Sequence, residues 1–249
     1  AYLPGGDILF VSTRCRRWVS CWKTHVGIMY RCGAGGGDIR PVSCNIEHDN
    51  TPWVLPDGRI LYTRWEYVDR SQVHYHHLWT AYPDGTAQMT WFGNLNPGTT
   101  MIDAKPIPGS HKIVASFSPG HGMKEHMGVV TVVDPNAGPD DLKFARAISK
   151  KPDCRDPWAF SEDCFLAARG PSLVLLDGQG AEQVVFRLPE EDRHAGLECH
   201  EPRPLVARPR EDVLQARTRP NEPTGRMVLA NVYEGRNMAG VQRGEVKKL

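Results

Sequence analysis

A unit of four short β-type runs separated by turns recurs along this chain at intervals of about 52 residues. Its clearest copy extends from Glu47 to Asn94. The runs in this copy are Pro52 to Leu55, Arg59 to Thr63, Leu78 to Tyr82 and Gln88 to Phe92. Two turns, Pro56-Asp57-Gly58 and Pro83-Asp84-Gly85, combine a proline that fixes φ with a glycine that accepts positive φ. The pattern predicts a blade, meaning one four-stranded antiparallel sheet.

Other copies of the unit are recognised by their second and third strands. The second strand, GRILYT from Gly58, recurs as GDILFVS from Gly6, HKIVASF from His111 and DCFLAAR from Asp163. The third strand, HLWTAYPDG from His77, recurs as HVGIMYRCG from His25, GVVTVVDPN from Gly128 and SLVLLDGQG from Ser172. Thr51-Pro52-Trp53 also returns, as Asp156-Pro157-Trp158, two units later. A repeat of this length made of strands is typical of a β-propeller.

The repeats predict an all-β fold, a β-propeller of four-stranded blades that holds four recognisable blades and part of a fifth in an incomplete ring. The blades are expected at about 1–46, 47–98, 99–152, 153–196 and 197–249, within one domain. The fifth blade would take strands from Pro202 to Ala207, Arg226 to Tyr233 and Gly244 to Leu249. The chain starts and stops inside blades, so we expect it to be excised from a longer multidomain protein.

Composition and motifs exclude several functions. The chain has 30 basic and 29 acidic residues, so there is no electrostatic case for nucleic acid as the main partner. No apolar run approaches the roughly 18 residues that a membrane span needs. The sequence contains no GxSxG, P-loop, GxGxxG or CxxCH motif, and it leaves open whether the chain is part of an enzyme.

Polar residues are concentrated where the chain enters the first, innermost strand of each blade. Those entries carry Glu47, His48, Asp49 and Asn50, then Asp103 and Lys105, then Arg155 and Asp156, then His200 and Glu201. In a blade these entries and the loops between strands two and three emerge on the same face. We therefore expect His48, Asp49, Asn50, Asp103, Asp156, His200 and Glu201 to contribute to a ligand-binding rim.

Three histidines, His25, His77 and His126, end the loops between second and third strands and are predicted to meet on the same rim. Neutral imidazoles bind zinc or another transition metal, so these residues are candidate metal ligands. His121 and Glu125 form a further group beside His126. Two alternatives stay open: the histidines cap strands and bond to loop carbonyls, or the rim binds an organic ligand or a neighbouring domain.

The chain has seven cysteines and no CxxC pair. Cys15 and Cys21 lie in one loop and would form a local disulfide in an oxidising compartment. The alternative for the cysteines is that they are free thiols packed as small apolar side chains, which suits Cys164 inside an apolar strand.

Several stretches carry a family resemblance. GGDILFVSTRCRRWVSCW, LPDGRILYTRWEYVDR, LWTAYPDGT, CRDPWAFSEDCFL and PTGRMVLANVYEGRNMAGVQRGEVKKL resemble the middle propeller domain of the hydrazine synthase alpha subunit family, with TolB-type, WD40-like repeats. The resemblance implies a periplasmic or otherwise extracytoplasmic protein. It also implies that haem is attached to neighbouring domains, and that a tyrosinate haem ligand could come from Tyr67 or Tyr233.

Two hypotheses follow. In the first, the chain is a non-catalytic propeller module that docks neighbouring domains or subunits of the same assembly. In the second, the propeller gives histidine or tyrosine ligands to a metal or to a haem held next door, as part of a haem-dependent oxidoreductase.

Overall fold

The computed structural model describes residues 1–120 and 126–248. Contacts divide the chain into two compact units, Ala1–Arg217 and Thr218–Leu249. Within the described residues all strands belong to the first unit, where they form three hydrogen-bonded sheets that do not close on one another. No helix among these residues is both long enough and apolar enough to cross a membrane.

The first sheet corresponds to the first predicted blade. It contains β1 (Ile8–Ser12), β2 (Ile28–Cys32) and β3 (Arg40–Pro41), paired in that order. Among the described residues this blade has no inner strand, and Tyr2 makes an isolated bridge to Ile8.

The second sheet has eight strands and holds the second and third predicted blades. Its strands are β4 (Asp49–Val54), β5 (Ile60–Trp65), β6 (Tyr75–Ala81), β7 (Met89–Phe92), β8 (Thr99–Pro106), β9 (Ile113–Ser118), β10 (Val129–Val133) and β11 (Ala145–Ala147). Each blade is an antiparallel meander. The two blades are joined because Tyr75 and His76 of β6 pair in parallel with Thr99 and Thr100 of β8. Short 3-10 turns at Pro135–Ala137 and Leu142–Phe144 precede β11.

The third sheet is the fourth blade, with β12 (Arg155–Ser161), β13 (Cys164–Arg169), β14 (Ser172–Asp177) and β15 (Glu182–Arg187) in chain order. It is followed by the short helix α1 (Glu190–His194).

Successive blades pack face to face through the alternation of side chains along their strands. In β5, Ile60 and Tyr62 pack with Leu9 of the first blade, whereas Leu61 packs with Ile113 of the third. This is the two-residue period expected of a strand that is buried on both faces. A third cluster joins the third and fourth blades and includes Val130, Phe165 and Val174.

Glycine turns after the third strands also join neighbouring blades. Gly85 has φ +84, and a Cβ there would lie 2.3 Å from the backbone oxygen of Val42 in the preceding blade. Gly180 has φ +78 and meets the oxygen of Ile148 at the same distance. Glycine is required at both positions by conformation and by space.

The predicted strands of the fifth blade are not formed by the residues that the structure describes. Residues 195–217 have no strand, although this segment crosses the first unit: Cys199 N–H donates to Gly170 and Asp212 N–H to Pro56. The strand prediction at Pro202 to Ala207 is wrong because Pro202 and Pro204 cannot donate to a ladder.

The strand predictions at Arg226 to Tyr233 and Gly244 to Leu249 also fail for the described residues of the second unit, which form turns instead. An apolar run becomes a strand only when another strand pairs with it.

Candidate functional site

The inner strands β4, β8 and β12 share a local distortion. Their pairing with the second strand slips between Asn50 and Trp53, between Ile102 and Lys105, and between Arg155 and Trp158. At each slip one non-glycine residue has positive φ: Thr51 (45°), Asp103 (56°) and Asp156 (51°). Such bulges turn side chains away from the regular alternation.

The segment after the fourth blade repeats the distortion without being a strand. Glu201 has φ 47°, and its backbone N–H donates to Asp156 Oδ2 at 2.9 Å. In the neighbouring repeat, Asp103 N–H donates to Thr51 Oγ1 at 3.2 Å. The bulge residues of different repeats are therefore bonded to one another.

This arrangement gathers three carboxyl groups. One oxygen each from Asp103, Asp156 and Glu201 lies within 4.8 Å of the others. The first two side chains are buried, and Glu201 is exposed. Among the residues described, this is the one group of three or more candidate metal ligands.

The electrostatics of the group follow from its burial. Removal from water raises the pKa of Asp103 to about 7; Lys105 opposes this shift, and Asp156 and Glu201 add to it. Near neutral pH Asp103 is therefore partly protonated, which reduces the repulsion among the three carboxyl groups. A bound cation would displace that proton.

Two residues further along each repeat there is a second set of side chains, Trp53, Lys105, Trp158 and Arg203. The indoles of Trp53 and Trp158 meet edge to face, with centroids 5.7 Å apart. The guanidinium of Arg203 lies 4.4 Å from the Trp53 ring centroid and 5.9 Å from that of Trp158. Lys105 Nζ lies 5.8 Å from the Trp53 centroid. Positively charged side chains and indole rings thus lie next to one another beside the three carboxyl groups.

The structure thus brings together Asp103, Asp156 and Glu201 from the predicted rim. Their oxygen donors suit Ca²⁺, Mg²⁺ or Mn²⁺ better than zinc. Sequence reasoning missed Trp53, Trp158 and Arg203 as partners of these carboxyls, although the repeated Thr51-Pro52-Trp53 and Asp156-Pro157-Trp158 triplets were a signal for them.

The other rim residues serve the structure locally. His48 Nδ1 accepts a hydrogen bond from Gly27 N–H at 3.0 Å. Asp49 is fully buried, which raises its pKa to about 6. Asn50 is half-buried on β4. His200 is exposed, but it adjoins the three carboxyl groups: its Nδ1 lies 3.7 Å from Asp156 Oδ2, and its Nε2 lies 3.2 Å from Arg155 Nη1.

The structure does not bring the three candidate histidine ligands together. His25 packs on Trp18, with ring centroids 4.0 Å apart. His126 has positive φ, and its carbonyl accepts from Ser116 Oγ. His77 is 1% exposed, and its Nε2 lies 3.7 Å from Glu66 Oε2. The predicted group at His121 and Glu125 lies outside the described residues.

His77 is instead a buried, neutral core residue. Burial lowers its pKa to about 4, with Glu66 opposing the shift. Neither ring nitrogen makes a hydrogen bond. The sequence placed His77 at the end of a loop, but in the structure it lies inside β6, opposite Arg64.

The remaining candidates are a disulfide and two tyrosines. Cys15 and Cys21 are both free, so the structure does not contain the predicted bridge; the Cys15 thiol donates to the Val26 carbonyl. Loss of solvent and the nearby Cys21 thiol raise the pKa of Tyr67, which disfavours the tyrosinate form. In the second unit, the Tyr233 hydroxyl accepts from Gly244 N–H at 2.6 Å.

The stacked blades and the inner-strand bulges define a β-propeller-like protein, and the sequence-based prediction of this fold is confirmed. No protein-family model matches the chain. No curated protein matches it either.

The chain was also compared with solved structures, and one of them has a similar fold. The chain is similar to hydrazine synthase of Kuenenia stuttgartiensis, with 20% identity and a TM-score of 0.55 over 66% of this chain and 26% of that one. It thus spans about a quarter of that protein. A gluconolactonase of Xanthomonas campestris gives 19% identity and a TM-score of 0.42 over 65% of this chain and 55% of that one. At 20% identity the likeness to hydrazine synthase is one of fold.

Proposed function

We propose that this chain is a non-catalytic propeller module that docks a neighbouring domain or subunit in an extracytoplasmic assembly. The observation that supports this role is the outermost strand of the fourth blade. All six residues of β15 are exposed, and within the described part of the chain no strand pairs with its outer edge. Open, apolar strand edges attract further strands.

The chemistry of this edge indicates what covers it. Val184, Val185 and Phe186 are 48%, 50% and 48% exposed, and Val185 is the extra residue of a bulge in the pairing with β14. A partner that adds a strand along the edge makes backbone hydrogen bonds and covers these apolar side chains. The resemblance to the hydrazine synthase alpha subunit family supports a partner from the same assembly and a place outside the cytoplasm.

Hydrogen exchange tests the docking role. Those backbone amides of 182–187 that do not pair with β14 should exchange rapidly in the isolated chain and slowly in the purified native assembly that contains it. The central strand β13, which is paired on both sides, should be protected in both samples. Val185→Lys should prevent assembly, whereas Val68→Lys, at a 61% exposed position outside the strands, should not. Equal exchange of 182–187 in the two samples would exclude this edge as the docking surface.

A second candidate function is cation binding, which is supported by the cluster of three carboxyl groups from Asp103, Asp156 and Glu201. Terbium is a suitable probe because it replaces Ca²⁺ and is excited by nearby tryptophans such as Trp53 and Trp158. We expect sensitised terbium emission that Ca²⁺ displaces and that Asp156→Asn removes. Binding should weaken below about pH 7, because Asp103 must release its proton.

Emission that persists in Asp156→Asn, or that Ca²⁺ does not displace, would exclude this site. Zinc at His25, His77 and His126, or haem with Tyr67 or Tyr233 as a ligand, remains a sequence-based proposal.

A further inference from the structure

A cavity of about 460 Å³ lies along the carboxyl-terminal halves of the inner strands β4, β8 and β12. Its walls include Trp53, Ile107, Trp158 and Phe160, and residues 206–211 cover one side. A volume of this size holds a small organic molecule, and a mostly apolar wall with a few polar groups is the usual composition of such a site.

One polar group in this wall is incompletely satisfied. Lys105 is 4% exposed, and its ammonium group makes a single hydrogen bond among the described residues, to the Asp103 carbonyl at 3.4 Å. Burial lowers the pKa of Lys105 even though Asp103 opposes the shift. An ammonium group has three donors, so at least two remain for a ligand in the cavity.

The charged side chains that line the cavity have a net positive charge. Arg208, Arg210 and Glu211 line the cavity with Lys105. Arg208 Nη1 lies 3.7 Å from Glu211 Oε1, so these two charges offset each other. Arg210 donates to the Pro4 carbonyl, which does not neutralise it. The wall therefore favours an anion over a cation.

We propose that this cavity binds an aromatic carboxylate, whose ring packs against Trp53 and Trp158 and whose carboxylate accepts hydrogen bonds from Lys105 Nζ. The flat indole surfaces provide the apolar contact. The carboxylate pairs with a buried ammonium group that makes one hydrogen bond to the chain, and the opposite charges make this interaction stronger than a neutral hydrogen bond. This site differs from the docking edge at β15. It lies beside the carboxyl groups of Asp103, Asp156 and Glu201, whose charges favour the protonated form of Lys105 and oppose the lowering of its pKa by burial.

A pair of probes of equal size tests the proposal: naphthaleneacetate and the corresponding naphthaleneethanol, which lacks the charge. Titrations are followed by tryptophan fluorescence and by calorimetry on the full chain. We expect the acid to bind saturably, with a dissociation constant on the order of 0.1 mM. The alcohol should bind at least about tenfold more weakly, because a charge-assisted hydrogen bond is lost.

Two variants and a control separate the contributions. Lys105→Met should abolish the preference for the acid and retain the affinity for the alcohol. Ala207→Trp, at an exposed position that lines the cavity, should prevent binding of both probes by filling the space without burying a charge. The control is Lys112→Met, since Lys112 pairs with Glu162 and does not line the cavity.

The proposal is overturned if neither probe binds saturably, if Lys105→Met keeps the preference for the acid, or if Ala207→Trp leaves binding unchanged. Circular dichroism of each variant shows that the comparison is made between folded proteins. Because the readout is binding of a defined probe, the result is independent of strand addition at β15 and of terbium emission.

Discussion

Trp53 and Trp158 come from different sheets, yet their indole rings meet edge to face with centroids 5.7 Å apart. Each follows a positive-φ bulge residue by two positions, Thr51 in one case and Asp156 in the other. The two repeats share one arrangement. The bulge residue carries an oxygen-bearing side chain, a hydroxyl in Thr51 and a carboxyl in Asp156, and the residue two positions later carries an indole. The contact indicates that the inner strands converge even though the sheets do not close by hydrogen bonds.

Replacing Trp158 by alanine should be strongly destabilising. Its side chain is 7% exposed and packs on both Trp53 and Arg203. Removal of a buried tryptophan leaves a cavity and typically costs about 3–5 kcal/mol. Urea unfolding measures the free energy of unfolding. Trp22→Ala, at a 74% exposed position, is the control and should change it by less than about 0.5 kcal/mol. Equal losses in the two variants would contradict the convergence of the inner strands.

Gly85→Ala should separate the cost of conformation from the cost of contact between blades. Gly85 and Gly109 both have positive φ, 84° and 71°, so alanine is strained at either position. Only at Gly85 would the new Cβ approach a backbone oxygen, that of Val42, whereas nothing lies within 4 Å at Gly109. Gly85→Ala should therefore be more destabilising than Gly109→Ala, by at least about 1 kcal/mol. Similar urea midpoints for the two variants would argue against this packing of blade on blade.

Much of the fold could be predicted from the sequence because turn chemistry marks each hairpin. The Pro-Asp-Gly turns at 56–58 and 83–85 set the ends of β5 and β6 to within a few residues. Strand pairing in the fifth blade could not be predicted in this way. The run at 226–233 is as apolar as many true strands, but whether it pairs depends on a partner that local sequence does not reveal.

The candidate site was only partly predictable. Asp103, Asp156 and Glu201 were expected on one rim, but a two-residue period cannot indicate that each lies at a bulge. Thr51 illustrates the difficulty: a β-branched residue rarely adopts positive φ, so its identity gives no sign of the bulge that it forms. The position of His77 was also not predictable, because pairing with Arg64 extends β6 past the expected start and places the imidazole in the core.

Asp103 should make stability depend on pH. Its pKa is about 7 in the folded chain, against 3.8 without the fold, so the folded state holds a proton that the unfolded state releases. The free energy of unfolding should therefore fall as pH rises from about 4 to about 7, by up to about 1.4 kcal/mol per pH unit. Asp103→Asn should lose this slope. Asp38→Asn, an exposed control, should keep it. Parallel curves for the wild type and Asp103→Asn would show that Asp103 ionises normally.

His77 should act in the opposite sense. Its pKa is lowered from 6.5 to about 4, so the unfolded chain binds a proton that the folded chain refuses. Its contribution is therefore fully present above pH 6.5 and is lost as pH falls toward 4. His77→Leu removes the titrating group and should flatten this part of the curve, whatever its effect at neutral pH. Because Asp103 titrates in an overlapping range, the informative quantity is the difference between wild type and variant in urea unfolding at each pH. His194, whose side chain is 77% exposed, provides the control, and at neutral pH His194→Ala should change the free energy of unfolding by less than about 0.5 kcal/mol. A His77→Leu difference that does not change between pH 6.5 and 4 would mean that the imidazole can be protonated without leaving the folded core.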